Sequence, residues 1–209
     1  MFKPHLISTS AHVENTDRIS RYIDSYKYIS FYGYLFQSVS ILETISKSEV
    51  DYLENTGFNV YYSDLENDHW NKGVNWIRHL SYFLSKSKLK DDDIIIFITG
   101  RYNILNANIF SLIEKHMIQE KNDLIAKDDR AVFSGNADGV HTFYMAFTKS
   151  KFLDLSNWFE ENADKNKCIE WEVKRYMISH EKCLILPKNT VLGVQLVMGA
   201  DLIDSDSVK

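Results

Sequence analysis

Four short clusters in this 209-residue chain could do chemistry. Thr99-Gly100-Arg101-Tyr102-Asn103 follows an uninterrupted run of β-formers, Ile94–Ile98. Arg101 offers a planar, permanently charged fork suited to phosphate, and Gly100 leaves room for a ligand to approach the backbone. Asn71-Lys72-Gly73 stands at the start of a helical pattern, where free backbone N–H groups and the helix dipole favour anions. Ser8-Thr9-Ser10 ends the first apolar stretch in three hydroxyls. Glu170 opens another helical pattern; a carboxylate there could serve as a general acid or base beside an acceptor hydroxyl, or simply favour the helix dipole. Together these residue types describe a nucleotide or phospho-sugar site. A Walker pattern, a G-x-S-x-G elbow and zinc-type histidine spacing are all absent from the sequence.

The triple carboxylate Asp91-Asp92-Asp93 also suggests a metal site, but it precedes the strand run. Strand direction therefore puts it at the edge opposite the other clusters, where a solvated cap is the better reading. Asp64, Asp68 and Asp138 fall at strand ends or turns, with no decisive spacing between them.

The elements that must position these groups follow from periodicity. Strands are expected at His5–Ser10, Ser38–Thr44, Asn59–Ser63 and Ile94–Ile98. A helix capped by Asn15 or Thr16 carries Ile19, Tyr22, Ile23 and Tyr26, with Arg18 and Arg21 on its early turns. A short helix is expected near Ser48–Asn55, and another carries Val74, Ile77, Leu80, Phe83 and Leu84. Ile109, Leu112, Ile113, His116 and Met117 make one amphipathic face. Ala131–Ser134 and Val140–Phe147 flank the turn Gly135–Gly139 and read as a hairpin or a pair of neighbouring strands. Helices follow with Ser150 as a cap and over Ile169–Ser179, then strands at Cys183–Leu186 and Val191–Val197. The early βα alternation indicates a parallel, doubly wound half with a mixed half appended. The expected fold class is α/β, a Rossmann-like central mixed sheet flanked by helices. Residues 1–203 form one domain, about 1–106 for the nucleotide and 107–203 for acceptor and catalysis, with 204–209 a flexible tail or linker stub.

Composition narrows the class. A net charge of −5 argues against a general nucleic-acid binder. Two cysteines, Cys168 and Cys183, make neither a disulfide framework nor a zinc set. The start MFKPHLISTS lacks a signal-peptide core, and Val191–Ile203 is too short and too interrupted to span a bilayer. A soluble, cytoplasmic protein is the expectation, with further domains beyond residue 209 left open.

NKGVNWIRHLSYFLSKSKLKDDDIIIFITGRYNILN resembles a segment of GT-A-like glycosyltransferases from bacterial surface-polysaccharide and viral glycan pathways. The resemblance extends to VHTFYMAF, Val140–Phe147, and to CIEWEVKRYM, Cys168–Met177, covering roughly residues 41–177. A narrower likeness is to the capsid-decorating glycosyltransferase modules of chlorella viruses, which would place the protein in the host cytoplasm. The family implies a nucleotide-sugar donor, a UDP-sugar by the viral likeness, and a glycan acceptor on a surface polysaccharide or glycoprotein. By resemblance Ser8, Thr9 and Asp64 hold base and ribose, while Lys72, Gly73 and Arg101 hold the diphosphate. Gly100 and Tyr102 line the donor pocket, Tyr102 at the sugar. Glu170 is the acceptor-side base if the reaction inverts, and orients the donor if it retains.

Thr-Gly-Arg-Tyr stands where many GT-A enzymes carry a metal-binding D-x-D, which this chain lacks there. Arg101 could replace the metal's charge, or a divalent cation, Mn²⁺ by the viral likeness, could bind through the diphosphate and a carboxylate from elsewhere. Phe97 stands where the family often has a lysine, so no role carries over to it. A nucleotidyltransferase is the rival enzyme class, but STSAHVENTDR lacks the glycine-rich loop it needs after the first strand. A non-catalytic glycan- or nucleotide-binding module is the rival outside enzymes.

Overall fold

Both faces of the Ile94–Ile98 run are covered, and this decides the architecture. In the computed structural model all five residues are buried, as expected for a strand packed by helices on either side. The structure describes residues 2–10, 16–44, 53–54, 56–100, 102–104, 106–130, 138–198 and 201–204. Strands β1 (His5–Ser10), β2 (Ser38–Glu43), β3 (Asn59–Tyr62) and β4 (Ile94–Thr99) run parallel. Strand β5 (Tyr102–Ile104) leaves this sheet. Strands β6 (Leu124–Arg130), β7 (Asp138–Thr148) and β8 (Cys183–Leu186) complete a seven-stranded sheet of order β3-β2-β1-β4-β7-β6-β8. β7 is antiparallel to both neighbours, β4 and β6, while β6 is parallel to β8.

Two cores flank the sheet. Helix α1 (Thr16–Tyr32) covers one face with Tyr22, Tyr26 and Ile29 against Leu6, Ile41, Ile96 and Ile98. Helix α3 (Asn108–Ile113) and the π-helical turn Glu114–Gln119 join it there through Ile109, Ile113 and Met117. The expected amphipathic segment is therefore present, but its buried residues recur every four positions and its second half widens to a π-helix. The other face is covered by α2 (Lys72–Lys86), α4 (Lys149–Asn162) and α5 (Ile169–Ser179). Alternation then assigns faces: Ile7, Leu42 and Phe97 look toward α2, Leu6, Ile41 and Ile98 toward α1.

Several expectations shift by local chemistry. The hairpin's first strand is Leu124–Arg130; Ala131–Ser134 lies outside the described residues, as do Asn15 and most of the Ser48–Asn55 helix. Helix α4 is capped by Thr148, whose hydroxyl accepts from the Lys151 N–H, and Ser150 belongs to the helix. The late strand is β9 (Val194–Met198), and it pairs with β10 (Asp201–Asp204), a segment expected to end in a polar tail. β5 joins these two in a three-stranded antiparallel sheet, so Tyr102–Ile104 is a strand that the expected elements did not include. Among the described residues no helix is long and apolar enough to cross a membrane.

Candidate active site

Topology places the expected clusters on one rim. Parallel strands β1 to β4 deliver their carboxyl ends to the same edge of the sheet, and β7, running the other way, begins there. Helices α2 and α5 also begin at this edge. They touch at their first turns: a Cβ on Gly73 would lie 2.6 Å from the Ile169 Cβ. The Asn71 amide spans the same junction, donating to the Lys165 and Lys167 carbonyls (3.0 and 2.9 Å). Lys72 is exposed on this junction.

The helix start is less open than its sequence suggests. Asn71 Oδ1 accepts from the Gly73 N–H at 3.0 Å, so that donor is already capped and Gly73 serves the close approach of α5. Gly100 is likewise occupied. A Cβ there would meet the Tyr22 ring at 2.4 Å, and the Gly100 N–H donates to the Thr9 carbonyl at 2.7 Å. Its missing side chain makes room for α1, where ligand access was expected. Tyr102 is 4% exposed and packs in the α1-side core, with its carbonyl accepting from Ser25 Oγ at 2.6 Å. Its ring belongs to that core, where a pocket wall was expected. Arg101 lies outside the described residues.

Thr9 and Thr99 are paired in register at the ends of β1 and β4, on the α2 side. Thr99 Oγ1 is buried without a hydrogen-bond partner. Ser8 is fully enclosed on the α1 side, and its hydroxyl also lacks a partner. Two buried orphan hydroxyls at one strand edge are unusual enough to need an explanation. Asp64 is exposed just past the end of β3.

Glu170 is the most constrained of the expected residues. Its Oε1 accepts from Thr142 Oγ1 (3.2 Å) and its Oε2 from the Cys168 thiol (2.6 Å). Burial, then the Glu170 carboxylate, pushes the Cys168 thiol up to about 11, so it remains a donor at neutral pH. Thr142 reaches Glu170 through a bulge. Ala126 faces Met145 and Asp128 faces Val140, so two residues along β6 are matched by five along β7. The three extra residues turn β7 toward α5, as bulges beside functional sites do. Gly139 closes the contact, because a Cβ there would sit 2.7 Å from the Glu170 Cβ. One turn along α5, Lys174 pairs with Asp128 at 3.1 Å.

Residues that the periodicity did not single out complete the rim. Glu43, fully buried at the end of β2, accepts from Ser10 Oγ at 2.6 Å. His79 bridges Ser63 Oγ (2.6 Å) and Asn67 Oδ1 (3.0 Å), and the Asn67 amide reaches the Thr44 carbonyl at 2.9 Å. Because Asn67 offers an acceptor, His79 Nε2 carries the hydrogen and Nδ1 accepts from Ser63. Asn71, Asn75 and His79 recur every four residues, a polar stripe on α2 that was legible in the sequence. Thr142 had no such signal, since nothing in VHTFYMAF marks the bulge. Among the described residues no three His, Cys, Asp or Glu side chains converge as metal ligands. The triple aspartate sits at the other edge, where the Asp91 and Asp93 carbonyls accept from Ser150 and Lys149 at the start of α4.

No family model and no curated protein matches the sequence. Solved structures do match in fold. A 4-diphosphocytidyl-2C-methyl-D-erythritol synthase from Anaerococcus prevotii DSM 20548 aligns over 88% of this chain and 86% of its own, with TM-score 0.53 and 12% identity. A glycosyltransferase involved in glycosylation of the major capsid of PBCV-1 aligns over 90% and 83%, with TM-score 0.53 and 12% identity. A protein from Desulfovibrio desulfuricans G20, assigned as a nucleotide-diphospho-sugar transferase, aligns over 90% and 80%, with TM-score 0.56 and 10% identity. The chain has a GT-A-like fold. At these identities the likeness reaches the fold alone. It matches the expected α/β architecture, a central mixed sheet flanked by helices.

Proposed function

We propose that this chain is a glycosyltransferase that moves a sugar from a nucleoside diphosphate sugar, a UDP-sugar, to a glycan acceptor. The observation that carries the reading is the junction of α2 and α5. Gly73 against Ile169 and Gly139 against Glu170 bring the Lys72 ammonium and the Glu170 carboxylate to the same rim of a GT-A-like sheet. In this reading Thr9 and Asp64 face base and ribose, with Ser8 beneath them. Lys72, with Arg101, carries the charge that develops on the leaving diphosphate. If the reaction inverts, the acceptor oxygen attacks the anomeric carbon, its proton passes to Glu170, and the bond to UDP breaks. If it retains, Glu170 orients the donor.

The described residues do not form a metal cage of their own. A divalent cation, Mn²⁺ by resemblance, would be held by the donor's diphosphate and a carboxylate from elsewhere in the chain, where it would supply further charge neutralisation.

Thermal shift with a nucleotide panel, with and without Mn²⁺, tests the reading, followed by UDP release from any UDP-sugar that binds. UDP should raise the melting temperature, because a ligand that binds only the folded state stabilises it. If no nucleoside diphosphate does so, the transferase reading falls. The synthase in the fold comparison motivates a second reading, nucleotidyl transfer. Release of pyrophosphate from CTP or UTP in the presence of a sugar phosphate would favour it.

A further inference from the structure

Two of the chain's four tryptophans are exposed, and both lie beside the α2–α5 junction. Trp76 packs in the core between Phe97 and Phe152 (ring centroids 4.9 and 5.9 Å), and Trp158 against Tyr176 (5.5 Å). Trp70, in contrast, is 71% exposed and Trp171 is 40% exposed. Trp70 immediately precedes Asn71, whose amide clamps the α4–α5 loop at Lys165 and Lys167. Trp171 stands on the first turn of α5, next to Glu170, with its N–H donating to the Cys168 carbonyl.

An exposed indole on a loose loop would need no explanation. The loop carrying Trp70 is held from every side. The His69 N–H donates to Asn75 Oδ1 (3.2 Å), and the Asn75 amide returns to the His69 carbonyl (2.8 Å). The Asn71 N–H donates to His69 Nδ1 (3.0 Å). Arg78 ties Asp68 (3.2 Å) to Glu160 of α4 (2.8 Å), and His79 fixes Ser63 and Asn67. His69 stacks on Trp70 at 28° and 5.8 Å, fixing the plane of the indole from one side. The neighbours' polar groups are tied down while a large apolar surface stays in water.

We propose that this rim is the acceptor-side carbohydrate site, with Trp70 as the platform on which a sugar ring stacks and Trp171 contributing beside Glu170. The proposal rests on the transferase reading for the word acceptor, and on Trp70 for the carbohydrate. A pyranose suits the feature because one face carries C–H groups and the perimeter carries hydroxyls. The indole covers the first, and exposed Asp68 flanks the second. A rigid aromatic contributes contact area with little entropy left to lose. The nucleotide needs the strand ends, with Thr9 and Thr99, and the acceptor approaches from the helix starts.

Tryptophan emission tests this without turnover. Wild-type protein is titrated with the methyl glycosides of glucose, galactose, xylose, fucose, rhamnose and N-acetylglucosamine and with cellobiose and lactose. UDP is titrated separately by calorimetry. The expectation is saturable emission change with at least one saccharide. Trp70→Ala should then weaken that saccharide by about tenfold, the size of one lost aromatic contact, and at least several times more than it weakens UDP. Trp70→Phe should recover most of the loss, and Trp171→Ala should lose less than Trp70→Ala. The exposed position lets Trp70→Ala keep the wild-type melting temperature, so misfolding cannot mimic the result. Two outcomes overturn the proposal: no saccharide perturbs wild-type emission, or Trp70→Ala weakens UDP as much as the saccharide. Saccharide binding through Trp70 with no nucleoside diphosphate bound would sink the transferase reading and leave the platform standing. UDP binding with silent saccharides would do the reverse.

Discussion

The two ends of β4 have opposite habits. At the amino end the aspartates serve local structure through one carboxylate and two backbone carbonyls. Asp93 Oδ2 accepts from the Lys90 N–H at 2.7 Å and lies 3.6 Å from His5 Nε2, and the Asp91 and Asp93 carbonyls hold the start of α4. At the carboxyl end the Thr99 hydroxyl is buried without a partner, the Ser8 hydroxyl close by is in the same state, and a cation stands exposed across the rim at Lys72. The difference teaches that charge density is a poor guide to a site. Three consecutive aspartates close a turn, while two quiet hydroxyls and the Glu170 carboxylate, held by Thr142 on the β7 bulge, gather at the candidate edge.

Perturbing each end separately can break this contrast. The largest effect should come from Glu170→Gln, which should lower UDP-sugar turnover by about 10²–10⁴-fold while UDP binding by calorimetry is spared. Full activity in this variant would end the assignment of Glu170. Gly100→Ala should follow, destabilising the fold by about 1–3 kcal/mol through overpacking against Tyr22, read from the denaturant midpoint. Thr142→Val should cost turnover about tenfold, the worth of one hydrogen bond to a charged group. Thr142→Ser should restore it, which loss of packing would not allow.

A smaller effect is expected in acid. Burial holds His79 below the ordinary histidine value of 6.5. The unfolded chain therefore takes up a proton that the folded chain refuses, and stability falls as pH drops below about 6.5. His79→Gln should flatten the slope of melting temperature against pH in that window. His5, lowered for the same reason, leaves a residual slope of the same sign. The smallest effect belongs to the amino end: Asp93→Ala should cost under about 1 kcal/mol of stability and leave UDP-sugar turnover unchanged. A turnover defect there would collapse the contrast between the two ends.

The sheet was largely legible in the sequence because its strands are buried on both faces and bounded by abrupt polar breaks. His5–Ser10, Cys183–Leu186 and the helix Ile169–Ser179 were placed from apolar spacing alone. The placement of Lys72 and the strand-end hydroxyls on one edge follows from strand direction, whereas that of Glu170 does not. What was not legible depended on long-range geometry. The roles of Gly73 and Gly100 are set by residues 96 and 78 positions away, Ile169 and Tyr22. Local reading sees a permissive backbone at a glycine and cannot see the neighbour that fills its missing side chain. The β7 bulge has the same character, since register is a property of two strands. The resemblance puts Tyr102 at the sugar, yet strand pairing with β9 carries its ring inward.

That pairing bears on how the protein is made. β5, directly after the turn at Gly100, takes its main-chain partner from Val194–Met198, and β9 in turn pairs with Asp201–Asp204. On a ribosome the amino-terminal strands emerge first and can begin to assemble, but β5 gains its main-chain partner only after residues 194–198 have been synthesised. The segment after Gly100 therefore completes its pairing later than β1 to β4 do.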